Sequence, residues 1–343
     1  MIHERKVSMI RITFEEAKGE LKRVLLSRGC PDEKAEKVAH EMARNSLEGT
    51  YTHGINRFAR LIRNIDEGIV RVDVMPTKLQ GYGAIENYDG NLGLGIVNAH
   101  FAMQRAIDLA HEHGIGLVAL RNTNHWLRAA TYGYQACDEG MAAMCFGNTM
   151  PNMPTWGALD ARLGNNPLTL AFPRSQGHVI VDMAMSQFSY GALEVAQLAG
   201  SKMKVDAGFD TRGDLTRDPG EIIDSKRILP MGYWKGAALS FLLDTFAGCL
   251  SMGNMVAGIG RLQGDEHGLS QVFIAINYRK IVPVQQAEAT LDDAVDYLLH
   301  SQLDGKAKRI VYPGQRAMES RAVNTELGIP VDERIWEQIR ALA

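Results

Sequence analysis

Twice in the middle of the chain a helical stretch stops at a glycine and gives way directly to a short apolar run. Ile96 to His113 has a helical period, ends at Gly114 and is followed by Ile115–Leu120. Leu127 to Glu139 ends at Gly140 and is followed by Met141–Phe146. Glycine is the residue that best closes a helix, and apolar runs of that length between turn signals read as strands. Helix and strand in alternation predict an α/β layer architecture. Further strands are predicted at Leu168–Phe172, His178–Met183 and Gln271–Tyr278, with helices at Tyr190–Leu198, Leu291–Ser301 and from Asp332 onward. Trp234 to Ser251 is apolar enough to read as a buried helix.

Before this alternation, Phe14 to about Ile69 is mostly helical in pattern, with Pro31-Asp32-Glu33 as a helix opening. Composition changes at Val74-Met75-Pro76, ahead of a strand-like piece and the loop Tyr88–Gly93. Residues 204–226 are rich in Asp, Gly and charge and read as a long excursion. Three regions follow: helical residues 1–75, an α/β core over 76–285 and a helical part over 286–343 expected to pack with the first.

Composition narrows the function classes. At 45% hydrophobic and 22% charged the chain suits a globular protein. A net charge of −3 offers no basic field for nucleic acid or an anionic membrane. Cys30, Cys137, Cys145 and Cys249 have no paired spacing, which fits a reducing cytoplasm rather than a disulfide framework. The charged start at Met1 has no signal-peptide core, and Met9 is an alternative first residue. The uncharged run Met141–Leu159 carries prolines and polar breaks and is no membrane span. No metal is expected: His111-Glu112-His113 lacks a third ligand, and Met141, Met144, Met150 and Met153 suit an adaptable core. Gly258–Gly264 and Gly93-Leu94-Gly95 both miss the dinucleotide fingerprint, which disfavours a Rossmann site.

Chemistry gathers in three places. Phe58, Leu61, Ile62 and Ile65 recur at helical spacing, and extending that helix back to a Thr52 cap puts His53 and Arg57 four apart on one side. A proton-exchanging imidazole beside a fork-shaped cation suits a 2-keto acid, which needs an acid for its carbonyl oxygen and an anchor for its carboxylate. An ordinary surface His and Arg would show the same spacing. Arg121–Trp126 follows a strand, where ligands bind in open α/β sheets; His125 is a candidate donor there, with Asn124 and Asn122 as orienting amides. A loop whose asparagines bond their own backbone fits equally. Arg227–Gly236 joins a loop to a helix, a place for a stacked ring and a phosphate, or for a structural turn with an interfacial Trp.

Taken together, Thr52–Arg57, His113–Trp126, Val181–Ser186 and Arg227–Gly236 resemble the malate/L-lactate dehydrogenase type 2 family, in the same order and from about Met9 to the C-terminus. The resemblance implies a mixed-sheet, non-Rossmann oxidoreductase that uses NADH, with NADPH also open, and forms a homodimer. It is nearest the members that reduce an open-chain 2,3-diketo sugar acid. Activity on malate, lactate, ureidoglycolate or a cyclic imine acid would share every motif, and a non-catalytic sugar-acid binder is the reading from another class. Carried over residue by residue, His53 is the proton donor, Arg57 the carboxylate anchor, and His125 with Asn124 substrate contacts. Cofactor contacts fall on His178, Val179, Ile180, Val181, Asp182, Met183 and Ala184, on Trp234 and Lys235, and on Gly314, Gln315 and Arg316. Close relatives carry Gly-His-Glu at that last place, and Arg316 there suits a 2′-phosphate.

Overall fold

The computed structural model describes residues 8–342; Met1 and the choice of first residue lie outside them. The chain opens with strand β1 (Met9–Ile12) and two paired helices, α1 (Phe14–Ser27) and α2 (Asp32–Leu47). Thr13 caps α1 reciprocally with Glu16: its Oγ1 accepts the Glu16 N–H while the Glu16 carboxylate accepts the Thr13 N–H. α2 starts directly after Pro31 with Asp32 and Glu33 in its first turn, where acids meet the helix dipole favourably. Leu21, Val24 and Leu25 of α1 and Val38, Ala39 and Met42 of α2 are fully buried in one cluster. Ile329 and Val331 belong to the same cluster, because β13 (Ile329–Asp332) pairs antiparallel with β1. Helix α12 (Glu333–Arg340) adds Ile339. Neither short strand is visible as an apolar run in the sequence.

The stretch holding His53 and Arg57 corrects the expected continuous helix. Tyr51–His53 and Ile55–Arg57 are separate 3₁₀ turns, and helix α3 begins only at Phe58 and ends at Asp66. Thr52 caps nothing there; the backbone breaks at Gly54, with φ −115° and ψ −133°.

Beyond α3 come β2 (Thr77–Tyr82), β3 (Ile85–Asp89), α4 (Gly95–His113), β4 (Ile115–Thr123), α5 (Ala130–Asp138) and β5 (Ala142–Gly147). Gly114, at φ +85°, ends α4. A small hairpin, β6 (Met153–Pro154) with β7 (Ala161–Leu163), precedes β8 (Leu168–Phe172), β9 (Val179–Met183) and helix α6 (Tyr190–Leu198). The excursion carries β10 (Gly208–Phe209), β11 (Leu215–Thr216) and α7 (Pro219–Ser225). Helices α8 (Trp234–Ser251) and α9 (Val256–Ile259) lead to β12 (Leu269–Ile276), then α10 (Val284–Leu299) and α11 (Gln315–Leu327). Element ends shift from expectation where local backbone decides: Leu127 has φ +65°, so α5 starts at Ala130, and α10 starts seven residues before Leu291.

Seven strands form one mixed sheet in the order β2-β3-β4-β12-β5-β8-β9, parallel only between β3 and β4. The two helix–strand repeats therefore lay β4 and β5 on either side of β12 instead of next to each other. Phe273 and Ala275 of β12 face α4 and α5, packing with Met103, Ala106 and Tyr132. Val272 faces the other way, towards Ala237, Leu243 and Ala247 of α8. A strand buried on both faces has no polar face to reveal its direction. α8 is not buried all round: Trp234, Phe241, Leu242 and Phe246 are each at least half exposed along one side.

Candidate active site

Gly54 fixes the site because nothing larger fits. A Cβ there would stand 2.1 Å from Ser46 Oγ and 2.8 Å from the Met42 carbonyl oxygen of α2. Ser46 Oγ accepts the Ile55 N–H at 2.9 Å, and Asn45 Nδ2 donates to the His53 carbonyl at 3.0 Å. Both side chains are buried, so α2 holds the 3₁₀ turns from behind. The turns aim His53 at His125, with ring centroids 5.5 Å apart. Gly95, at the start of α4, lets the His125 loop lie close: a Cβ would meet the His125 carbonyl oxygen at 2.2 Å.

His125 Nδ1 accepts the Leu127 N–H at 2.9 Å. The neutral ring must then carry its proton on Nε2 and act as a donor from that atom. Asn124 spends its amide N–H groups on the Leu92 and Gly93 carbonyls at 2.8 and 2.9 Å. Its Oδ1 is buried without a partner, so only this acceptor remains for a ligand. Asn122 binds Asp89 and does not reach the recess.

Arg57, Arg60, Asn124, His125 and Glu266 line one narrow recess, floored by Leu61, Val70 and Leu127. Asp265 holds Arg60 through both carboxylate oxygens. The Arg57 guanidinium has no hydrogen bond or ion pair among the described residues, though it is partly enclosed. Burial works against its charge, and the neighbouring Arg60 adds to that. Burial, then the charges of Arg57 and Arg128, hold the His53 imidazole down to about 4. Burial also takes His125 well below the ordinary imidazole range, helped by Arg57 and His53. Both rings are thus neutral at pH 7 in the ligand-free chain. The resemblance implies His53 as proton donor; in the folded chain burial comes first in keeping it neutral, followed by Arg57, which the spacing shows, and Arg128, which it does not.

The segments expected to hold a cofactor lie along the outer sheet edge at β9. The Ile180 N–H donates to the Pro313 carbonyl at 3.1 Å, which brings Gly314 against His178. Gly314 has φ +99°, and a Cβ there would sit 2.9 Å from the His178 carbonyl oxygen. His178 is pinned between the Arg174 N–H and Asp138. At the other end of β9 the Met231 N–H donates to the Met185 carbonyl at 2.8 Å, bringing up Trp234 and Lys235, both exposed. Neither α8 nor α11 has a side-chain cap at its N-terminus. Gln315 is used locally, bonding the Tyr312 N–H and Glu319, while Arg316 is exposed. Asp182 accepts the Ala130 N–H at the start of α5 at 2.9 Å and keeps an exposed surface. Val179, Val181, Met183 and Ala184 are half-buried and Ile180 is buried.

Arg128 and Glu266 are the site residues that spacing missed. Arg128, ion-paired with buried Glu48, stands three residues after His125, and its charge was a readable signal. Glu266 arrives from the loop before β12 and had none.

Residues 12–340 match the malate/L-lactate dehydrogenase family. The 2,3-diketo-L-gulonate reductase of Escherichia coli K12 is 44% identical over 333 residues, 97% of this chain and 100% of that protein. Malate dehydrogenase from Pyrococcus horikoshii OT3 superposes with a TM-score of 0.89 at 26% identity, covering 100% of this chain and 98% of that one. Sulfolactate dehydrogenase from Methanocaldococcus jannaschii has the same score and identity, covering 97% of this chain and 96% of that one.

Proposed function

The chain belongs to the malate/L-lactate dehydrogenase family, and from that premise we propose that it reduces 2,3-diketo-L-gulonate at C2 with NADH. It is an oxidoreductase of the 2-hydroxy acid class and takes a nicotinamide cofactor. The observation that carries the site reading is Arg57: a partly enclosed, unpartnered guanidinium beside two neutral imidazoles suits a 2-keto acid, carboxylate first.

The residues along β9 fit the cofactor. Gly314 leaves a cradle that a Cβ would fill, at the start of α11, which has no side-chain cap. His178–Ala184 would line its length, Trp234 and Lys235 one end, and Arg316 the ribose phosphate region. When bound, the cofactor supplies the hydride that reduces the keto carbon.

The protein's own part is binding and proton supply. Arg57 takes the C1 carboxylate, bidentate in the geometry a guanidinium favours. Burial first and then Arg57 hold His53 down; the carboxylate offsets the Arg57 part, so His53 takes up a proton more readily as the substrate arrives. His53 then protonates the developing alkoxide, and His125 donates from Nε2 to a substrate oxygen. Asn124 Oδ1 is the acceptor beside them.

The exposed side of α8, with Trp234, Phe241, Leu242 and Phe246, fits burial against a second copy in a homodimer. Four free cysteines and no helix among the described residues long and apolar enough to cross a membrane suit a cytoplasmic enzyme. The test is a panel of 2-keto acids with NADH and with NADPH. 2,3-Diketo-L-gulonate with NADH should give the highest kcat/KM; oxaloacetate or pyruvate leading the panel would overturn the substrate and leave the family.

A further inference from the structure

The recess has one acidic wall that the mechanism leaves unused. Glu266 is only 9% exposed, and a buried carboxyl persists where a partner or a ligand justifies it. Its loop is clamped in place: Asp265 is held by Arg60, and the Glu266 N–H donates to Asp265 Oδ1 at 2.8 Å. One carboxyl oxygen of Glu266, Oε2, accepts the Met150 N–H at 2.9 Å. The other makes no hydrogen bond among the described residues and belongs to the same lining as Arg57, Asn124 and His125. Glu266 and Arg57 do not form an ion pair, so a gap separates the group that suits a carboxylate from the group that suits a hydroxyl. Burial pushes the Glu266 carboxyl up, while Arg57 and Arg60 oppose the rise.

We propose that Glu266 is a specificity-determining residue whose unpartnered oxygen hydrogen-bonds a hydroxyl on the substrate's polyol tail. The inference rests on the sugar-acid reading of this same site. A substrate that is a carboxylate at one end and a polyol at the other spans the gap from Arg57 to Glu266. A short keto acid ends before it and leaves that oxygen to water, so only the polyol acid gains the contact, and a site built to hydrogen-bond a substrate hydroxyl discriminates against the analogue lacking it. The Met150 contact fixes the carboxyl's rotation, so its free oxygen keeps one direction.

The test is Glu266→Gln, which keeps an oxygen for the Met150 N–H and puts an amide N–H₂ where the free oxygen stood. The readout is the ratio of kcat/KM for 2,3-diketo-L-gulonate to that for pyruvate. It should fall about tenfold, because the charged acceptor of the hydroxyl proton is replaced by a neutral amide that can only donate there, with the change mostly in KM for the polyol acid. Glu266→Ala should lower the same ratio at least as far, and its melting temperature reports whether the Met150 contact also matters for folding. A ratio that stays constant in Glu266→Ala, whether or not overall activity drops, overturns the assignment and makes Glu266 a support for Met150. A wild-type enzyme that reduces no polyhydroxy keto acid overturns the substrate reading instead, so the two failures are distinguishable.

Discussion

The imidazoles of His53 and His125 face each other at 5.5 Å between centroids, with their planes 43° apart. One stands on a 3₁₀ turn pinned to α2, the other on the loop that follows β4. Burial is the first reason both rings stay neutral; the charge of Arg57 adds to it at each, and His53 adds to it at His125.

Changing His53 and Arg57 should therefore produce different defects. His53→Ala removes the proton donor and keeps the anchor, so kcat should fall by roughly 10²–10⁴ with little change in KM. Arg57→Ala loses a contact made in ground and transition states alike, so KM should rise more than kcat falls. Arg57→Lys should recover little, because an ammonium cannot reproduce the planar fork. Steady-state kinetics of the three variants check this, and near-normal values for all would return the pair to a surface role.

His125→Phe keeps an aromatic ring and removes both the Nε2 donor and the Nδ1 acceptor of the Leu127 N–H. The chemical step should slow by about 10²–10³, the usual loss of one donor to developing charge. Single-turnover measurement of cofactor oxidation isolates that step.

The pH dependence follows from the His53 position near 4 in the folded chain against an ordinary value near 6.5. The unfolded chain binds more protons at this residue between those values, so its contribution to stability is full above about 6.5 and lost as pH falls towards 4. A bound 2-hydroxy acid on Arg57 should move the His53 titration upward and cause proton uptake on binding. Imidazole NMR of the wild type and His53→Ala, with and without the ligand, follows both; an unmoved midpoint contradicts the coupling.

Gly54→Ala should be costly, since its Cβ would meet Ser46 Oγ at 2.1 Å. Overpacking of this kind costs about 1–3 kcal/mol, and the displaced turn would misaim His53. Urea unfolding and kcat should both report the defect. Adding Ser46→Gly removes the nearest atom but also the acceptor for Ile55, so it should restore only part of either.

Phe246→Glu places a charge on the exposed apolar side of α8. The wild type should sediment as a dimer at micromolar concentration and the variant should shift towards monomer. A monomeric wild type would assign that side of α8 another role.

The sequence by itself determined what depends on near neighbours. Glycines 114 and 140 punctuate helix and strand, the Thr13–Glu16 pair caps α1, and residues facing one side every few positions mark α3 and α4. The order of the motifs around His53, His125 and Trp234 was also legible, and so was the family they resemble. Tertiary structure alone decided that β12 separates β4 from β5, because a strand buried on both faces carries no mark of its neighbours. It decided that Asn124 faces the loop with its N–H groups and the recess with its oxygen. It also set the charge of His53, through burial, Arg57 nearby in sequence and Arg128 brought up from the segment after His125. Hydrogen bonds and charges act across space, and spacing along the chain records only those that are also local.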